Sequence, residues 1–161
     1  MFRDTTIDDL RFVTEVYNAT IPSRLVTADT TPLTSDDIAA WWKATRTDRP
    51  FWIIEHQEER IGWVRFRDFY GRPGYRHTAE IAIYIHPAHQ GKGWGAKALQ
   101  QAIDSAPALQ IHTLLGFIFA QNEPSLSLFR SFGFTCWGHL PNIALLDNRP
   151  CSLEIWGKSL Q

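Results

Sequence analysis

Hydrophobic positions along this chain change period several times, and each change marks an element. Leu10, Val13, Val16 and Tyr17 recur at three- and four-residue spacing, which predicts a helix capped at Thr6 or Asp8. Ile38, Trp41 and Trp42 mark a second helix, capped at Ser35 or Asp36 and running to about Thr45. Between them, residues 18–34 are rich in Thr, Pro and Ser and read as a loop with at most a helical turn. Residues 2–5 suit a short edge strand. The β-branched and aromatic runs at 51–55 and 61–66 flank a polar turn and predict a hairpin. Residues 67–77, with two glycines, a proline and three arginines, read as a loop facing a substrate.

The pattern then shifts to alternating strand and helix. A strand at 80–85 leads through His86-Pro87-Ala88-His89 into a glycine-rich turn and a helix. That helix has Gly95, Ala98, Leu99, Ala102 and Ile103 on one face and ends at Pro107. The apolar run at 111–119 reads as a central strand buried on both faces. A short helix follows Asn122, with Pro124 in its first turn, Leu126, Phe129 and Phe132 on its buried side, and Gly133 at its end. Strands at 134–140 and 152–158 close the chain. The order β-α-α-β-β-β-α-β-α-β-β predicts an α/β (α+β mixed) fold, a mixed sheet with helices on both faces. With no repeat or linker, residues 1–161 are expected to form a single domain.

Composition narrows the function classes. Hydrophobic content of 44% and charged content of 20% fit a globular protein. A net charge of −1 argues against general affinity for nucleic acid, which needs a basic footprint. No run approaches the roughly 18 apolar residues of a membrane span, and no signal-peptide core is present, so the expected location is cytoplasmic. Cys136 and Cys151 have no metal-type spacing and read as reduced thiols. Among the histidines, His86 and His89 flank Pro87 without an acid or cysteine in ligand spacing, so no metal site is expected; His139, near the last strands, reads as a surface or packing residue, with a place facing the acceptor as the alternative. Most of the seven tryptophans and ten phenylalanines suit a core. The adjacent Trp41 and Trp42 cannot wholly share one helix face, so one ring is free to line a cleft or an interface.

The candidate chemistry centres on Gln90-Gly91-Lys92-Gly93-Trp94-Gly95. Glycine lets a ligand approach the backbone closely, and the unpaired N–H groups of a helix's first turn favour an anion. A phosphate or pyrophosphate cradle follows. A nucleotide-binding module is disfavoured, because the turn lacks Gly-Lys-Ser/Thr and no acid lies about twenty residues on.

In this context the turn resembles the Q/R-x-x-G-x-G/A motif of the GNAT superfamily of acyl-CoA-dependent N-acetyltransferases. Asn122-Glu123-Pro124-Ser125 leading to Phe132-Gly133-Phe134 is similar to that family's next helix, and the element order agrees over nearly the whole chain. Gly74-Tyr75-Arg76-His77-Thr78-Ala79-Glu80 further resembles the branch that acetylates phosphinothricin, methionine sulfoximine and methionine sulfone. Residues 142–149 depart from the last hairpin of that branch.

The resemblance implies a mixed, mostly antiparallel sheet of about seven strands, splayed between two parallel neighbours: the strand at 80–85 and that at 111–119. Acetyl-CoA is the implied co-substrate, with no metal. Ile83, Tyr84 and Ile85 would offer backbone groups to its pantetheine arm. Gln90, Gly91, Lys92, Gly93, Trp94, Gly95 and Ala96 would hold its pyrophosphate, and Asn122 with Ser125 would lie near the thioester. Glu80 would be the general base for a small-molecule amine, which must be neutral to attack; the alternative is a strand-end carboxylate paired with Arg76 or Arg72. Partial burial would raise its pKa toward a useful range. A backbone N–H near Tyr84 or Ile85 would stabilise the oxyanion. Where many members have a Tyr that protonates the leaving thiolate, Phe129 stands, so the thiolate leaves unaided or Tyr84 substitutes. Acceptor selection would fall to Tyr70, Gly71, Arg72, Tyr75 and Arg76 with Glu80, Ile81 and Ala82, and to Trp41 and the Thr30-Thr31 region opposite. An arginine there would suit a substrate carboxylate. Acetylation of a protein N-terminus or lysine, a non-catalytic acyl-CoA sensor, and a homodimer stay open.

Overall fold

The computed structural model describes residues 1–160. Its strands are β1 (Phe2–Asp4), β2 (Phe51–His56), β3 (Glu59–Asp68), β4 (Thr78–Ile85), β5 (Thr113–Phe119), β6 (Thr135–Leu146) and β7 (Arg149–Ser159). Its helices are α1 (Leu10–Asn18), α2 (Ser35–Lys43), α3 (Trp94–Ser105) and α4 (Glu123–Ser131). The strands form one sheet in the order β1-β2-β3-β4-β5-β7-β6. Neighbours run antiparallel except β4 and β5, which are parallel. Element order and mixed sheet are those expected from the hydrophobic pattern.

Helices cover both faces. Val13, Val16 and Ile38 from α1 and α2 pack on Ile53 and Trp63. On the other face Ala98, Leu99, Leu126 and Phe129 from α3 and α4 pack on Val64, Ile81, Leu114 and Ile118. Each large apolar side chain taken out of water in this way contributes about 1.5–3 kcal/mol.

The helix starts are set by side-chain carboxylates. The Asp9 carboxylate accepts from Thr6 N at 2.8 Å, and a short 3₁₀ turn at Ile7–Asp9 precedes α1. For α2 the cap is Thr34, one residue before the expected Ser35. Its hydroxyl accepts from Asp37 N at 3.2 Å while the Asp37 carboxylate accepts from Thr34 N at 2.8 Å, so two orphan donors are satisfied reciprocally.

Two strands run further than the pattern suggests. β3 continues through Arg67 to Asp68 because each of these residues finds a partner on β4, so the expected loop at 67–77 starts later. β6 and β7 extend into one long hairpin closed at Asp147 and Asn148, with φ of 51° and 60°. That primed turn matches the right-handed twist of the strands.

The parallel pair is short. Thr78, Ala79 and Glu80 face Thr113, Leu114 and Leu115, and no further pairs form although both strands continue. Past Glu80 the sheet therefore opens as a wedge. Gly116 is the first β5 residue inside it, and a Cβ there would lie 2.5 Å from the Phe129 ring. Glycine at this point lets α4 seat Phe129 against β5 at the base of the wedge.

Candidate active site

Alternation along β3 and β4 builds the cleft. Trp63 is directly opposite Tyr84, Arg65 opposite Ala82, and Arg67 opposite Glu80. All six line one cavity of about 370 Å³ on the α1–α2 side of the sheet. Trp63 and Tyr84 stack with centroids 4.4 Å apart. Ile81, expected at the acceptor site, points the other way and is buried beneath α3 and α4, since neighbouring strand residues face opposite sides.

Glu80 is the last paired residue of β4 before the wedge, with its side chain 15% exposed. Its Oε2 accepts from Arg67 Nη2 at 2.7 Å, and Oε1 has no hydrogen-bond partner among the described residues. The ion-pair partner is thus Arg67, neither Arg76 nor Arg72. Burial first, and then the neighbouring Tyr17, push the Tyr84 phenol well above its ordinary value, so it holds its proton.

The far wall is α1, α2 and the loop between them. Trp41 lines the cleft while Trp42 turns away and donates from Nε1 to Thr5 O at 3.0 Å. Val26, Thr27 and Ala28 line it too, rather than Thr30 and Thr31. The loop is held by both ends. Tyr17 Oη bonds Thr27 Oγ1 at 2.6 Å and the Asp29 carboxylate, Asn18 pairs with Leu33 through both its amide atoms, and Arg24 Nε donates to Asp147 Oδ2 at 2.8 Å. Burial and the bond to Asp29 push Tyr17 up to about 12.

The predicted acceptor loop lies elsewhere. Tyr70, Gly71, Arg72, Tyr75 and Arg76 do not line the cleft. Tyr70 and Tyr75 pack with Phe69 into an exposed aromatic cluster, and Arg76 Nε donates to His77 Nε2 at 3.1 Å. His139 pairs with Glu154 at 3.0 Å, also outside the cleft. The residues that sequence reasoning passed over are Arg65 and Arg67. The spacing Trp63-x-Arg65-x-Arg67 was the available signal, readable only once β3 was known to run to Asp68.

On the other side of the wedge, Gly91 and Gly93 take φ of 73° and 84°, and a Cβ on either would meet nothing within 4 Å. Gly93 is the N-cap of α3 and brings no side chain to its first-turn N–H groups. Lys92 and Lys97 lie beside them, Lys97 Nζ being 4.4 Å from the Trp94 ring centroid. Open backbone donors, a helix N-terminus and two cations fit a pyrophosphate. Toward β5, the backbone of 81–85 has no strand partner. Asn122 is buried and caps α4 through Oδ1 on Ser125 N at 3.3 Å, leaving Nδ2 without a hydrogen-bond partner among the described residues. Among the described residues, no three His, Cys, Asp or Glu side chains converge as a metal site, and both cysteines are free thiols.

A splayed parallel pair beside a glycine cradle places this architecture beside a known group. The model of the Acetyltransferase (GNAT) family matches residues 13–134. The chain belongs to the GNAT acetyltransferase family. It is 45% identical over 153 residues to the "Putative phosphinothricin acetyltransferase YwnH" of Bacillus subtilis, covering 94% of each protein. It is 32% identical to the L-methionine sulfoximine/L-methionine sulfone acetyltransferase of Salmonella typhimurium, over 88% of this chain and 83% of that one. The GNAT fold is shared with YncA of Salmonella typhimurium, solved with its cofactor acetyl-CoA, at a TM-score of 0.92 and 30% identity over 100% of this chain and 94% of that one.

Proposed function

We propose that this GNAT protein transfers an acetyl group from acetyl-CoA to the primary amine of a small amino-acid analogue of the phosphinothricin, methionine sulfone or methionine sulfoximine type, with Glu80 as general base. One observation carries the reading. Glu80 is the last residue paired to β5, so its carboxylate stands where the acceptor cleft meets the wedge, with one oxygen uncommitted. The names of the relatives and the acetyl-CoA in YncA support the substrate class.

Acetyl-CoA supplies the thioester. The chain's own residues handle protons and charge. Glu80 takes a proton from the acceptor ammonium, directly or through a water, and the neutral amine nitrogen then bonds the acyl carbon. Unpaired backbone N–H groups along 81–85 serve the developing oxyanion. The carbon–sulfur bond breaks with its electron pair on sulfur. Phe129 has no proton to give; Tyr84 takes that role and regains its proton from the nitrogen, which sheds its second proton as the amide forms. The Gly91–Gly93 cradle with Lys92 and Lys97 holds the pyrophosphate, and Asn122 offers Nδ2 near the thioester. No helix among the described residues is long and apolar enough to cross a membrane. A lysine-rich protein acceptor is a poor fit to a cleft wall that carries Arg65 and Arg67 against the single acid Glu80.

The test is thiol release from acetyl-CoA with methionine sulfone, methionine sulfoximine and phosphinothricin. Glu80→Gln is expected to lower kcat by about 10²–10⁴-fold, most steeply below neutral pH. An unchanged rate removes Glu80 from the role.

A further inference from the structure

Of this chain's arginine side chains, those of Arg65, Arg72 and Arg149 make no ion pair or hydrogen bond among the described residues. Arg72 and Arg149 are exposed to water, which solvates them. Arg65 is half-buried. Its guanidinium carbon lies 4.8 Å from the Trp41 ring centroid and 5.9 Å from that of Phe51. Those aromatic faces offset part of the cost of desolvating a cation, but they accept none of its five N–H donors. Burial, then repulsion from Arg67, lowers Arg65 to about 10, which still leaves it charged at neutral pH. A half-buried, charged fork with no counter-ion is costly unless a ligand supplies one.

Its position says where that ligand lies. Arg65 lines both the acceptor cleft and a side pocket of about 160 Å³ behind Trp41. The other cations at these walls are already matched: Arg67 by Glu80, and Arg46 and Arg49 by Asp68. Opposite Arg65 on β4 stands Ala82, whose methyl leaves open the space between Glu80 and Tyr84. Arg65 and the base are therefore one step of the ladder apart, about 7 Å along the strand.

We propose that Arg65 binds the carboxylate of an α-amino-acid acceptor and thereby sets the amine toward Glu80. This assigns the anion-binding role to β3, in place of Arg72 and Arg76 in the loop. It rests on the reading of the cleft as the acceptor site. A planar guanidinium bonding a carboxylate in partial burial discriminates by about 10- to 100-fold against a neutral isostere.

The test compares L-methionine sulfone with its carboxamide, both primary amines, on the wild-type protein and on Arg65→Gln and Arg65→Lys. Wild type is expected to favour the acid by at least about tenfold in kcat/KM, although the less basic amine of the amide is more often neutral. Arg65→Gln should raise KM for the acid about 10- to 100-fold while leaving KM for the amide and for acetyl-CoA within twofold, and Arg65→Lys should recover part of the loss. Equal or better use of the amide by wild type overturns the proposal, as does an equal loss on both acceptors in Arg65→Gln. If Arg65→Gln fails to fold, the wild-type acid-to-amide ratio decides alone. Isothermal titration of acid and amide separates this inference from the transferase reading. Acid binding that Arg65→Gln abolishes supports Arg65 even where no thiol is released, and wild type that fails to bind the acid refutes it.

Discussion

Arg67 and Glu80 are cross-strand partners whose side chains meet at 2.7 Å, and Glu80 is the last β4 residue paired with β5. The pair fixes one carboxylate oxygen and leaves the other toward the cleft. Replacing Arg67 with Gln frees the carboxylate to sample other rotamers. We expect kcat to fall by about tenfold, an amount typical of misplacing a catalytic group by about 1 Å or less, with KM for acetyl-CoA unchanged. Steady-state kinetics on the single variant check this, and a kcat equal to wild type would show that the ion pair does not position the base.

Tyr84 is held protonated by burial against Trp63 and Tyr17. Because its pKa is raised, ionisation of this phenol contributes no loss of activity as pH climbs to about 10. Tyr84→Phe should lower kcat by about tenfold or more without moving either limb of the pH–rate profile. A basic limb below pH 10 that disappears in Tyr84→Phe would contradict the assignment.

Gly116 has the Phe129 ring where its Cβ would be, at 2.5 Å. Gly116→Ala forces α4 off β5 and should destabilise the protein by about 1–3 kcal/mol. Adding Phe129→Leu should recover part of that loss, since it removes the atoms in conflict. Urea unfolding of the two variants measures both numbers, and additive losses in the double variant would show that the two positions do not press on each other.

Asp9 is fully buried and receives Arg3 at 2.7 Å, Arg60 at 2.9 Å and Thr6 N at 2.8 Å. Burial alone would raise its pKa, but the bonds from Arg3 and Thr6, Arg3 foremost, hold it down at about 2. A lowered carboxylate stabilises the fold fully above its unfolded value near pH 4 and ceases to do so as pH falls through 2. The contribution at neutral pH is about 2 kcal/mol. Asp9→Asn should lose about that much or slightly more at pH 7, with the gap to wild type closing between about pH 4 and 2. A gap that stays constant with pH would rule out the ionised carboxylate as its source.

Much of this protein is legible in its chain because the physics behind it is local. Helical spacing in α1 and α3, the β-branched runs of β2 and β5, and the glycines of the cradle each reflect preferences of neighbouring residues. The motif at 90–95 and the Asn122 helix were enough to expect a splayed parallel pair, and it is present between β4 and β5. Where two local solutions compete, the prediction slips by a residue or two. Thr34 takes the cap from Ser35 because only Thr34 stands three residues before an acid that can return its bond.

The lining of the cleft was not legible, because it is made by register. Whether an arginine at 65 or 67 faces a cleft or solvent depends on how far β3 pairs with β4, and pairing is settled by the partner strand. A glycine- and proline-rich loop with arginines looks like a substrate loop in one dimension, yet in three it packs Phe69, Tyr70 and Tyr75 together away from the cleft. The wall facing Glu80 is built from residues far apart in the chain, with the 19–34 loop tied by Arg24 to Asp147 over 123 residues. Backbone preferences and glycine positions thus determined the element order, the mixed sheet and the glycine turn before α3 from sequence alone. Strand register and long-range packing, which no local pattern encodes, decided which charges line the cleft.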